Sequence, residues 1–449
     1  MNRRLVISWA LFIWTGLPAT VLAQAPAVLE PQQDPGLEAS RPEQPGGHNR
    51  KALPAWLKLG VELRGRAESN NAFDSASSDQ LYLNRFRLNA LVQPAPWVRF
   101  FFQGQDARVF SPGSGQDHEY LRNTFDLRQA YVDFGRAEEG WQLRAGRQEL
   151  AVGDERLVGA DNYWDCFGQA FDAVRLGFAG AKFRVDAFTG FRVQPARRRL
   201  DPFDTASRMS GLSVRFKTRG EGVLEPYLLW KRGGDTLDLL EHSGHRDVLT
   251  PGVRAQGTLP HSLDYNVEMA LQRGHVVDEG ISAWAGHWEL GWKPLGEEFK
   301  LRLGLEYNYA SGDKNPSDGS HGTFDDLYPA GFNKYGMADP IAWRNIRYPA
   351  IGVEMPVTRR WTIYGGYRLF RLASIRDGLY PGGDQYLVRN LAATEAEVGS
   401  HVLVSARYAG SDHWRVYGGY GYLFPGAYLR QSGYLTALRT SYLLFSFTF

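Results

Sequence analysis

The sequence predicts an all-β protein: a transmembrane antiparallel β-barrel of about eighteen strands behind a disordered N-terminal extension. Three observations carry this. From Trp56 onward, apolar and polar residues alternate in short runs, the period of a strand with two unlike faces. The last run places Leu443, Phe445, Phe447 and Phe449 on one face and Leu444, Ser446 and Thr448 on the other. Such a phenylalanine row makes sense where the face meets lipid and the strand closes a barrel. Finally, no apolar run after the first residues is long enough for a transmembrane helix, although the chain holds 13 Trp, 22 Tyr and 25 Phe. A mean hydropathy of −0.37 does not oppose this, because a polar lumen dilutes the average.

Arg3 and Arg4, an apolar stretch from Leu5 to Leu17, and Val21-Leu22-Ala23 read as a cleaved signal peptide over residues 1–23. Residues 24–54 are proline-rich and lack apolar periodicity, as expected of a flexible periplasmic extension. Residues 55–449 then form one barrel domain. In Leu57–Ser69, Leu57, Leu59, Val61, Leu63 and Ala67 oppose Lys58, Glu62, Arg64, Arg66 and Glu68; a helix would spread those charges all around its surface. The same pattern predicts strands at 57–69, 81–93, 97–109, 124–135, 141–150, 171–179, 182–192, 208–218 and 223–232. The second half continues at 248–258, 262–273, 281–293, 298–310, 343–355, 360–371, 395–409, 413–424 and 436–449. Short links such as 93–96 and 179–180 belong on the periplasmic side. The longer ones, 110–123, 151–170, 193–207, 233–247, 311–342 and 372–394, belong outside. The last strand is expected to pair antiparallel with the first.

Without the signal peptide the chain has 49 basic and 49 acidic residues, so net charge names no polyanionic partner and none of nucleic-acid type is expected. Position is more telling. Arg64, Arg66, Arg85, Arg87, Arg99, Arg144, Arg175, Arg184, Arg215, Arg302 and Arg407 fall on the predicted lumen face. Guanidinium groups stay charged and match carboxylates with a planar fork, so a ring of them would guide anionic solutes. The structural alternative is a ladder of ion pairs with Glu62, Glu68, Asp186, Glu268, Glu289 and Glu306.

Catalysis is not expected, because the ten histidines are scattered and none forms a compact motif with a serine. Cys166 is the only cysteine, which excludes an internal disulfide and a cysteine-cluster metal site. The segment 310–326 contains Asp313, Asn315, Asp318, Asp325 and Asp326, but their spacing misses a calcium loop and Pro316 interrupts it. It reads as a polar loop, as does His242-Ser243-Gly244-His245. No cofactor and no metal are expected. Arg197-Arg198-Arg199 marks an external loop.

Several motifs resemble the alginate-export family of outer-membrane proteins. They are Leu143–Leu150 (LRAGRQEL), Gly153–Leu157 (GDERL), Phe171–Leu176 (FDAVRL), Ala310–Asp313 (ASGD), Gly322–Asp325 (GTFD), Leu327–Pro329 (LYP) and Phe424–Tyr428 (FPGAY). The resemblance implies a monomeric eighteen-stranded channel in the Gram-negative outer membrane, with lipid and lipopolysaccharide around it and an arginine-lined constriction. It also implies export of an anionic uronate polysaccharide, alongside periplasmic polysaccharide-synthesis proteins. Carried onto this chain, it puts Arg144, Arg147 and Arg156 at or near the constriction. Lys58, Arg64, Arg85, Arg87 and Arg128 are further pathway candidates, with Asp154, Asp172 and Asp186 positioning the arginines. The short periplasmic links leave no counterpart to a long periplasmic plug. An anion-selective porin that takes up small carboxylates or sugars is the alternative.

Overall fold

The computed structural model describes residues 53–71, 78–111, 121–136, 138–160, 166–197, 199–218, 222–330, 341–381 and 386–449. The expected signal peptide and nearly all of the extension lie outside these residues.

The first half of the barrel comprises β1 (Leu57–Asn71), β2 (Ser78–Ala95), β3 (Val98–Phe110), β4 (Asn123–Gly135), β5 (Gly140–Gln148), β6 (Phe171–Ala179), β7 (Phe183–Val193), β8 (Phe203–Lys217) and β9 (Val223–Leu237). It continues with β10 (Ser243–Leu259), β11 (Leu263–Val276), β12 (Glu279–Trp292), β13 (Arg302–Ala310), β15 (Ile346–Pro356), β16 (Trp361–Leu372), β17 (Glu397–Ala409), β18 (Trp414–Pro425) and β19 (Leu438–Thr448). Between β13 and β15, the two-residue β14 (Ser320–His321) runs parallel to β12. The other eighteen strands form a closed antiparallel barrel, each bonded to its neighbours in chain order. β19 closes the circle on β1 in a register that pairs Arg64 with Ser446 and Gly65 with Phe445. The backbone amides of Val61 and Phe449 each donate to the other's carbonyl.

Alternation becomes inside and outside. On β1, Leu59 and Leu63 are exposed outward while Arg64 and Arg66 are buried. On β19, Leu443 and Phe445 are exposed and Tyr442 and Leu444 are buried. The links also sort by length. Those after β2, β4, β6, β8, β10, β12, β15 and β17 are short and share one end with Leu57 and Phe449, which makes that end periplasmic.

Two links differ from expectation. Residues 298–301 are not strand: Pro294 and Gly296 (φ +71°) lead into a helical turn, Gly296–Phe299, and pairing starts at Arg302. The predicted loop 233–247 is largely hairpin. Gly233 and Gly234 at positive φ supply a bulge, so β9 and β10 stay paired almost to the tip.

A larger correction concerns the long extracellular links. Residues 149–160, 166–170, 311–330 and 341–345 do not stand outside the barrel; they turn back into it.

Candidate functional site

The link after β5 crosses the bore. At its first part, the amide of Asp154 donates to Glu268 of β11 (2.9 Å), and its carboxylate receives Arg254 of β10 (3.2 Å). Arg156 reaches His287 of β12 (3.1 Å) and lies 3.9 Å from Glu306 of β13. Further along, the same link meets the other wall. Arg128 of β4 donates to the carbonyls of Ala160 and Gln169, and Gln105 of β3 to that of Phe167 (3.1 Å). Gly153 makes the close approach possible: its φ is +64°, and a Cβ there would sit 2.4 Å from the Glu268 carboxylate.

The link after β13 clasps the first. Val158 and Tyr328 form a parallel bridge, with Tyr328 N donating to Leu157 O and Gly159 N to Tyr328 O. The Tyr328 hydroxyl bonds Ser207 of β8 (2.8 Å), and its ring packs edge-on to Phe171 of β6. Asp325 receives Lys231 of β9, Arg246 of β10 and Arg344. Those three cations hold its carboxylate well below the usual range.

An apolar core fills the bore at this level. Leu150, Val152, Leu157, Val158, Phe324, Leu327 and Trp343 from the links pack against inward Phe171, Met209, Leu229, Val248, Ala270, Ala283 and Ile346. A plain water-filled pore has no use for inward valines and isoleucines, so the wall itself is built to receive the plug. These inward apolar positions were visible in the sequence; their lumen register was not.

On the periplasmic side of the plug, inward side chains become partly exposed and the bore carries charge. Asp133 of β4 accepts both Arg144 of β5 (2.7 Å) and Arg99 of β3 (3.0 Å). Asp186 of β7 likewise accepts Arg184 (2.6 Å) and Arg175 of β6 (2.9 Å). That is two guanidinium groups for each carboxylate. Arg144 also lies over the Tyr131 ring, 3.9 Å from its centroid. Lys58 and Arg407 face the lumen near the same end; Arg407 donates to Thr362 (3.3 Å) and lies within electrostatic reach of Glu354 of β15. The opposite wall is more balanced, with Arg302 held by Asp264 (3.0 Å) and Glu289 (2.8 Å).

Higher on the first wall, Arg64, Arg66, Arg85, Arg87 and Arg128 are all buried. Glu62 serves Arg85 and Arg87, Glu68 serves Arg66 (3.0 Å), and Glu149 serves Arg128 (3.1 Å). Register sets Arg64 beside Arg85 on the neighbouring strand. Lumen arginines are therefore largely ion-paired, as the ladder alternative expects, and several share one carboxylate: Arg85 and Arg87 on Glu62, Arg99 and Arg144 on Asp133, Arg175 and Arg184 on Asp186.

Two expected pathway residues are elsewhere. Arg147 and Asp172 bond each other (2.8 Å) and pair across β5 and β6. They share the face of Leu143, Val174 and Leu176, all exposed to lipid. Their place is the outer surface at the extracellular rim, one register step from the lumen. Arg147 also donates to Asp201 O in the link 194–202 (2.8 Å). Asp154 and Arg156 sit 3.4 Å apart within the plug, and Arg254 completes the group.

At the same rim, Asp201 receives Asn123 (2.7 Å), and its amide donates to Asp126 (2.7 Å). Burial and the adjoining Asp126 carboxyl push the Asp201 carboxyl up to about 7. Of the expected basic loop 197–199, residue 198 lies outside the described residues.

Comparison with known proteins agrees with this architecture. The sequence model of the family described as Alginate export matches residues 55–441. No curated protein sequence matches the chain. Among solved structures, Acinetobacter baumannii OccAB2 is similar with a TM-score of 0.62 at 9% identity, covering 88% of this chain and 98% of that one. Pseudomonas aeruginosa OccD3 (OpdP) has a TM-score of 0.59 at 12% identity, covering 89% and 92%. OccK3 (OpdO) of the same organism has a TM-score of 0.58 at 12% identity, covering 88% and 95%. At such identities the likeness concerns the fold, that of outer-membrane porins. Fold and family both indicate the Gram-negative outer membrane, and both are those of a channel.

Proposed function

The chain belongs to the alginate export family, and from that premise we propose that it is an export channel for an anionic, uronate-type exopolysaccharide, working by passive diffusion. The observation that carries this reading is the periplasm-facing vestibule, where Arg99 and Arg144 share Asp133, and Arg175 and Arg184 share Asp186. Two cations converge on each of these carboxylates, and Lys58 adds a further cation nearby. A carboxylated polymer arriving from the periplasm would exchange one guanidinium contact for the next. Weak, repeated contacts of this kind lower the barrier without trapping the cargo. The mechanism needs no energy source in the barrel, since polymer synthesis behind the channel supplies the push. The buried Arg64–Arg85–Arg87–Arg128 group continues the basic wall upward, beneath the link 166–170, and would meet the polymer once that link moves aside. Periplasmic polysaccharide-synthesis proteins are the expected partners, and the barrel acts as a monomer.

The test is block of single-channel current by polyuronate added from the periplasmic side. The wild type should be blocked, Arg144→Glu and Arg184→Glu should lose block, and Arg147→Glu, on the outer face, should retain it. A porin for small carboxylates or sugars is the second reading, favoured by the likeness to porin structures. It wins if polyuronate leaves the current unchanged while monomeric carboxylates permeate.

A further inference from the structure

We propose that Glu279, Asp313 and His321 form a binding site for one divalent metal ion of the zinc type at the extracellular end of the barrel.

The candidate ligand atoms of these three side chains all lie within 4.8 Å of one another. They come from three separate segments: Glu279 opens β12, Asp313 follows β13, and His321 belongs to β14. The parallel pairing of Gly280 with Ser320 and Ile281 with His321 brings them together. His321 Nδ1 is 3.2 Å from the Glu279 carboxylate. The amides of Asn315 (2.8 Å) and Gly322 (3.3 Å) hold the Asp313 carboxylate in place, the kind of outer support that orients a metal ligand.

The charge of the cluster suits a cation. Glu279 and Asp313 are 8% and 2% exposed, and among the described residues neither has an ion pair with lysine or arginine. The nearby Lys231, Arg246 and Arg344 are engaged by Asp325 instead. Two buried carboxylates without a counter-ion are costly. His321 adds an imidazole nitrogen to the two carboxylates as the third donor. A neutral imidazole is the form that binds metal.

The donor set identifies the class. One imidazole nitrogen and two carboxylates match zinc with its fourth position open to water. Calcium and magnesium take oxygen donors throughout and have no use for the histidine. Bound there, the ion would staple residues 313–321 to the β12 wall.

The experiment uses the full chain, purified in detergent and stripped with a chelator, then titrated with Zn²⁺ by calorimetry and with Co²⁺ by visible absorption. One ion per chain is expected. His321→Gln, Asp313→Asn and Glu279→Gln should each weaken binding at least about tenfold, with heat-modifiable gel migration showing that each variant is folded. A His242→Gln/His245→Gln double variant, removing the neighbouring exposed histidines, should bind as the wild type does. Absence of stoichiometric Zn²⁺ binding by the folded wild type would overturn the proposal. So would loss of binding only in the double variant, or Ca²⁺ binding as tight as Zn²⁺.

Discussion

Val158 and Tyr328 pair edge to edge inside the barrel, although strands β6 to β14 separate them in the chain. With the Ala330 amide donating to Glu155 O and Gln169 donating to Pro329 O, this bridge joins two links from opposite parts of the circumference into one plug. Tyr328 also anchors the joint to the wall, through Ser207 and Phe171. Removing a buried aromatic side chain of this kind costs about 3–5 kcal/mol. Tyr328→Ala should therefore loosen the plug locally and leave the eighteen-strand circuit intact. Higher single-channel conductance with unchanged heat-modifiable migration is the expected result.

Asp325 is the plug's electrostatic latch. Leaving its three cations without a carboxylate should cost roughly 3–5 kcal/mol, because buried charge would be uncompensated. Asp325→Asn should open the channel more often at neutral pH. Its depressed folded pKa means that the stabilisation is present above the unfolded value, about 4, and is lost as pH falls toward the folded one. The wild-type latch should thus be insensitive to pH from neutrality down to about 5 and weaken only in strong acid, which conductance against pH will show.

The rim link 194–202 should respond in the opposite sense. Asp201 has a raised folded pKa of about 7, so its stabilising proton is present below the unfolded value near 4 and lost as pH rises through about 7. Hydrogen exchange over residues 194–197 and 199–202 should speed up between pH 6 and 8 beyond the intrinsic chemical rate. Asp201→Asn, which cannot ionise, should remove that excess.

Lipid-facing and lumen-facing positions should differ sharply. Leu305 is 58% exposed on the outer face of β13. Leu305→Arg should destabilise the barrel by about 2–4 kcal/mol in a bilayer, measured by denaturant unfolding. The inward neighbour Gly304 lies on the polar side, so Gly304→Ser should cost much less.

The barrel was legible because alternation is a local signal with a global cause. Leu59/Lys58 and Phe445/Ser446 each declare their faces without knowledge of any partner strand. Closure of β19 on β1 follows from the same phases. The plug was not legible, because nothing local says that Asp154, Asp325 and Tyr328 turn inward. Polar loops look alike whether water or a charged wall receives them. Arg147 shows the limit of motif reading: it stands three residues from Arg144, an odd step, so the two occupy opposite faces of β5. Parity alone had already separated them. The pairing of two arginines on Asp133 and on Asp186 required register between strands, which the chain does not announce.

The central claim is that the vestibule arginines select anions, and reversal potential across a planar bilayer under a salt gradient tests it most directly. Anion selectivity is predicted for the wild type, shifting toward cations in an Arg144→Glu/Arg184→Glu variant; cation selectivity of the wild type would contradict the account.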